Sequence, residues 1–120
     1  MSQLTIKNCT VVNEGDLIQT DLLIKNGRIE KIESSIDVNG DFIDANGLYL
    51  LPGFIDDQVH FREPGSTDVE DLESGSKAAV LGGVTSVFEM PNTNPPTSNQ
   101  TEFNKKLSLA KNRMFSNYAF

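Results

Sequence analysis

At Pro52-Gly53 the chain changes from one folding pattern to another, and this switch restricts its architecture more than any other feature. Downstream, Phe54 to Phe61 reads as a strand and Arg62 to Thr67 as a loop. Thr67-Asp68-Val69-Glu70 then has the spacing of a capping box and predicts a helix that Gly82-Gly83 closes. Leu72, Ala79 and Val80, with Gly75 and Ser76, give that helix a narrow apolar stripe suited to close packing on a sheet. Val84 to Phe88 predicts the next strand, ended by the prolines of MPNTNPPTS. Ser98 is placed to cap a second helix carrying Phe103, Leu107, Ala110 and Met114 at helical spacing, and Phe115 to Phe120 begins a third strand. Strand, helix, strand, helix, strand is the order of βαβ units on a parallel sheet.

Upstream of the switch the chain reads as β structure. LTIKNCTVV is one strand, and Asn26-Gly27 between Leu23-Ile24 and Ile29-x-x-Ile32 predicts a tight type I′ hairpin. Turns at Val38 to Asp41 and Ala45 to Gly47 set off two further short strands, Phe42-Ile43 and Leu48 to Leu51, all read as antiparallel. The expected division is therefore 1–51, antiparallel hairpins, and 52–120, a βαβαβ segment. A closed parallel barrel typically needs about 250 residues, and three parallel strands bury little for their entropy cost. At 120 residues the chain reads as the front third of a longer protein.

Ten Lys and Arg against seventeen Asp and Glu give a formal net charge of -7, which disfavours nucleic acid or an anionic membrane as partner. The single cysteine, Cys9, cannot form an internal disulfide and lies within an apparent strand, so a buried structural thiol is expected. No apolar run has the length of a spanning helix or the form of a signal peptide, and a reducing cytoplasm is the expected location.

The chemistry-bearing residues concentrate in LPGFIDDQVHFREPG, residues 51–65. Strand periodicity puts Asp56, Gln58, His60 and Arg62 on one polar face and Asp57, Val59 and Phe61 on the other. In a parallel barrel, polar residues at the C-terminal end of a strand enter the mouth where catalytic groups lie. Each residue also has an ordinary reading. Arg62 could form a surface ion pair with Glu63 or Asp68, Asn92 an Asx turn after Pro91, and Asp56 a backbone cap. Asp57 faces the helices and must be at a rim or paired. Glu89, at the end of the second strand, is expected to orient the Asn92 loop rather than to move protons.

PGFID followed by HFREPG, and then AAVLGGVTSVFEMPNTNPPT, resembles the cyclic amidohydrolases, and dihydroorotase most closely, over nearly the whole chain. Dihydropyrimidinase and allantoinase share the plan, but the arginine and the Met-Pro-Asn-Thr loop are less typical of them. The resemblance implies an α/β fold: part of a small β-sandwich, then the first three strands and two helices of an incomplete TIM (β/α)8-type barrel. It implies a zinc enzyme with one or two divalent ions that interconverts dihydroorotate and carbamoyl aspartate, with Arg62 and Asn92 holding the substrate carboxylate. A metal supplies the nucleophile for such a ring opening by lowering the pKa of bound water to about 7.

The family carries a His-x-His pair on this strand. Here His60 is the second member and the only histidine, while Gln58 stands in place of the first. Gln58 is either a weak metal donor, which favours one metal, or an outer partner that orients a ligand, or the mark of an inactive scaffold relative. The remaining ligands and the proton-moving aspartate are expected beyond residue 120, so the chain by itself is not expected to turn over substrate. The oligomeric state is open, with a homodimer as one possibility.

Overall fold

A computed structural model describes residues 2–120, which form two compact units, one ending at Pro52 and the other running Gly53–Phe120. The first unit is built around β1 (Gln3–Asn13), which pairs antiparallel with β2 (Asp16–Lys25), itself paired with β3 (Arg28–Glu33). The β2–β3 connection is the expected tight hairpin, with φ of 52° at Asn26 and 74° at Gly27. A second turn of the same kind, Glu14-Gly15, joins β1 to β2.

β4 (Asp41–Asp44) and β5 (Tyr49–Leu50) depart from the antiparallel expectation, because both pair with β1 in parallel. β2 occupies one edge of β1, and the chain leaving β3 crosses to the free edge before pairing there. Local turn chemistry carries no signal for so distant a partner. Ile6, Cys9, Leu22 and Ala45 form the core of this unit, and burial pushes the Cys9 thiol up from its ordinary value.

Asp21 ties the sheet to that crossover. Its side chain is 3% exposed and pairs with the Lys7 ammonium. It also accepts from the backbone N–H of Asn8 at 2.8 Å and of Ile36 at 2.9 Å. Asn8 sits at φ 59°, where the β1–β2 register shifts, so Asp21 satisfies the donor exposed by the bulge. The Lys7 ammonium, followed by the Asn8 N–H, holds the Asp21 carboxyl below the usual carboxylate range. A lowered folded value means that this stabilisation is complete above about pH 4 and is lost as pH falls through the folded value. Asp21→Asn is expected to cost about 2 kcal/mol or more at pH 7. It should also flatten the acid side of a urea-midpoint-against-pH profile; an unchanged acid slope would contradict this assignment.

The second unit is a parallel sheet in the order β6 (Phe54–Val59), β7 (Val84–Glu89), β8 (Asn117–Ala119), with α1 (Leu72–Leu81) and α2 (Gln100–Ala110) as the connections. Phe61, Leu72, Val87 and Ala110 make its core. α1 starts later than the Thr67 capping box predicts. Asp71 is the N-cap, its carboxylate accepting from the Ser74 N–H at 2.7 Å, while the Ser66 carbonyl turns the preceding segment by accepting from Val69 at 3.0 Å. Asn99, not Ser98, caps α2, through a bond from the Glu102 N–H at 3.0 Å.

α2 also turns a different face to the sheet. Leu107 is 38% exposed, whereas Lys106 is 1% exposed and pairs with Glu89 of β7. A partner waiting at the strand end lets a lysine occupy a position that polarity would place in water.

Gly75 on α1 lies against Phe61, where an added Cβ would come within 2.4 Å of the ring. Helix propensity alone gives Gly75→Ala up to about 1 kcal/mol of stabilisation. The clash reverses the sign, and a loss of about 1–3 kcal/mol is expected in chemical denaturation. A gain in stability would contradict the packing.

Candidate active site

β6 and β7 end side by side, with Val59 opposite Glu89 and the Met90 N–H bonded to the Val59 carbonyl at 2.9 Å. The segments that follow therefore leave from the same end of a parallel sheet, and they are tied again where the Asn94 N–H donates to the Pro64 carbonyl at 3.0 Å. Gly65 makes this second approach possible: its φ is 122°, and a Cβ there would come within 3.0 Å of Asn94. Arg62, Pro64, Asn92 and Asn94 share the walls of one small cavity of about 110 Å³.

His60 and Asn92 meet directly, Nδ1 to Oδ1, at 2.9 Å. Asn92 forms no Asx turn; its carboxamide oxygen goes to the imidazole instead. Arg62 is exposed and has no ion-pair partner among the described residues. Glu63, which the ordinary reading offered beside Asp68 as a partner for Arg62, is turned the other way. That carboxylate accepts from Arg113 Nη1 at 2.8 Å and Nη2 at 2.9 Å, and from the Leu72 N–H at 3.0 Å. Burial opposes ionisation of Glu63, but Arg113 and the Leu72 N–H outweigh it and hold the carboxyl below the usual range.

Strict alternation does not survive to the end of β6. The register with β7 shifts between Asp56 and Val59, where the Asp56 carboxylate accepts from the Gln58 N–H at 3.0 Å. Val59 and Phe61 still pack on the core, and Asp57 is exposed. Gln58 is exposed as well, with no side-chain hydrogen bond among the described residues.

Glu89 makes no hydrogen bond to the Asn92 loop among the described residues. It is 2% exposed and spends one carboxylate oxygen on Lys106, leaving Oε1 buried without a partner. Burial pushes its carboxyl up, against the pull of Lys106. The His60–Asn92 bond and the buried lysine were both outside the reach of sequence periodicity. Only the proximity of two strand ends in a parallel pair could have hinted at the first.

With Nδ1 engaged by Asn92, His60 has Nε2 left free to accept a metal ion, and Gln58 offers a neutral amide oxygen. No group of three or more His, Cys, Asp or Glu side chains converges among the described residues. His60 thus fits as one ligand of a divalent metal ion, while a full ligand set is not supplied by residues 2–120.

The chain belongs to the amidohydrolase family, which it matches over residues 49–115. Within that family it is similar to dihydroorotases. It is 46% identical over 114 residues to the dihydroorotase of Aquifex aeolicus (strain VF5), covering 92% of this chain and 27% of that protein. The dihydroorotase of Methanosarcina acetivorans is 42% identical over 115 residues, covering 94% and 25%. Among solved structures, the L-hydantoinase (dihydropyrimidinase) from Arthrobacter aurescens superposes with a TM-score of 0.90 at 31% identity, over 99% of this chain and 27% of that one. The dihydropyrimidinase from Brevibacillus agri NCHU1002 gives a TM-score of 0.85 at 32% identity, over 99% and 26%.

The chain thus spans about a quarter of the length of the curated relatives it matches. Its fold is α/β and corresponds to an N-terminal portion of that architecture: part of a β-sandwich, then the first strands and helices of a (β/α)8-type barrel.

If Gly65 clasps the two loops, Gly65→Ala should shift backbone amide resonances in both 62–66 and 92–95 while leaving β1 to β5 unchanged. Shifts confined to the immediate neighbours of residue 65 would contradict the clasp.

Proposed function

We propose that the complete protein is a dihydroorotase-like, metal-dependent cyclic amide hydrolase that interconverts dihydroorotate and N-carbamoyl-aspartate in pyrimidine biosynthesis. This chain supplies the part of the site that receives the substrate carboxylate. The observation that carries the reading is the shared cavity of Arg62 and Asn92, in which the guanidinium has no ion-pair partner among the described residues. A planar guanidinium binds a carboxylate through two parallel N–H bonds, and the Asn92 NH2 adds a directed third. Held at that end, the ring presents its amide carbon in a fixed orientation, which lowers the entropic part of the barrel's task. His60 holds zinc through Nε2, with Gln58 as a weaker oxygen donor or an outer partner. A bound divalent ion supplies carbonyl polarisation and a water of lowered pKa.

Proton transfer falls to an aspartate outside residues 1–120, and the chain by itself lacks turnover. A cytoplasmic location and a homodimeric assembly belong to the same proposal.

A non-catalytic scaffold is the second reading, and Gln58 favours it, since an exposed amide stands where the family places a ligand. The residues at later strand ends separate the two: a lysine, two histidines and an aspartate there support the enzyme. The similarity to hydantoinases and dihydropyrimidinases keeps an uncharged ring as an alternative substrate. In the complete enzyme, Arg62→Ala is expected to lower kcat/KM for dihydroorotate about 100-fold or more, the loss of a charge-assisted pair, with little change for dihydrouracil. Equal turnover of dihydrouracil and dihydroorotate by the unmodified enzyme would overturn the substrate assignment.

A further inference from the structure

The geometry points to Asn92 as a positioning residue for His60: its carboxamide oxygen, 2.9 Å from Nδ1, holds the imidazole in the Nδ1–H tautomer and leaves the lone pair on Nε2. A neutral imidazole carries one proton on two nitrogens, and the hydrogen bond made by one nitrogen decides which the other becomes. An amide oxygen only accepts, so the contact requires the proton on Nδ1. The purpose of this arrangement, a preset Nε2 donor, rests on the reading of His60 as a metal ligand given above. Ligand histidines generally receive such orientation from a carboxylate or a backbone carbonyl. Here no carboxylate bonds the His60 ring among the described residues, and a neutral side chain takes the role.

The Asn92 loop is fixed without that side chain. The Thr97 N–H donates to the Pro91 carbonyl at 2.9 Å, the Asn94 N–H to the Pro64 carbonyl at 3.0 Å, and the Thr93 hydroxyl to the Pro95 carbonyl at 3.0 Å. The carboxamide is therefore delivered to His60 by the backbone, and truncating it leaves the loop in place. Holding the ring through Oδ1 leaves both Nδ2 protons of Asn92 for an anion. One side chain thereby serves the carboxylate pocket and the histidine together, and an anion on Nδ2 polarises the amide and strengthens Oδ1 as an acceptor.

Because His60 is the only histidine, long-range 1H–15N correlations of the 120-residue chain report its ring without overlap. Spectra are recorded at about pH 8.5. The expected spectrum shows a protonated Nδ1 and an unprotonated Nε2. Asn92→Ala should return the ring toward the Nε2–H form that free imidazole side chains favour, and Asn92→Asp, which keeps an acceptor, should retain Nδ1–H. A predominantly Nε2–H ring in the unmodified chain, or an unchanged Nδ1–H ring in Asn92→Ala, overturns the proposal.

Titration with Zn²⁺, followed at the same nitrogens, separates this contact from the metal reading. Zinc is expected to perturb Nε2, with affinity about 10- to 100-fold weaker in Asn92→Ala. Equal affinity in the two proteins overturns the positioning role. A tautomer that responds to Asn92→Ala while zinc leaves both nitrogens untouched upholds the contact and overturns His60 as a ligand.

Discussion

The parallel register of β6 against β7 is the constraint on which the candidate site depends. With Val59 opposite Glu89 and the Met90 N–H on the Val59 carbonyl, residues 60–62 and 90–94 emerge together. A slip of one residue would exchange the faces, sending Val87 into solvent and breaking the approach of His60 to Asn92. Glu89 and Lys106 reinforce that register from the helix side. Both are buried, so any rearrangement that parted them would leave an uncompensated charge at a cost of about 3–5 kcal/mol. The pair thus holds α2 to the strand end from which the Asn92 loop departs.

Two adjacent residues of opposite charge are given opposite tasks. Glu63 turns inward, bonds the first N–H of α1 and receives the fork of Arg113 from beyond α2, so the loop after β6 is anchored to both helices. Arg62 is left in the cavity with Asn92, without an ion-pair partner among the described residues. In a chain of net charge -7, an exposed guanidinium without an ion-pair partner among the described residues adds little to stability, and the proposed function gives it a substrate anion. The scaffold contact and the proposed substrate contact fall on neighbouring positions, Glu63 and Arg62.

Much of this was legible in the sequence, for identifiable reasons. The βαβαβ order and the Asn26-Gly27 hairpin rest on local patterns, and both stand in the structure. Distant partners decided the rest. β4 and β5 pair in parallel with β1 along the edge that β2 leaves free, a partnership no turn sequence encodes. α1 begins at Leu72 because Asp71, Ser74 and the remote Glu63 satisfy its first donors better than Thr67 and Glu70 could. Lys106 replaces Leu107 on the buried face because Glu89 meets it. At the site, the motif singled out His60, Arg62 and Asn92, and the structure brings His60 to Asn92 and Arg62 into one cavity with Asn92. Gln58 was visible as a substitution, but the carboxamide grip on His60 needed coordinates.

The central claim is that Arg62 and Asn92 act on one carboxylate from the walls of one cavity. A double-mutant cycle tests it most directly: carbamoyl aspartate binding to the complete protein, measured by calorimetry for the unmodified form, Arg62→Ala, Asn92→Ala and the pair. Shared recognition predicts a coupling energy of about 0.5–3 kcal/mol. Additive losses, or no loss from either substitution, would contradict the account.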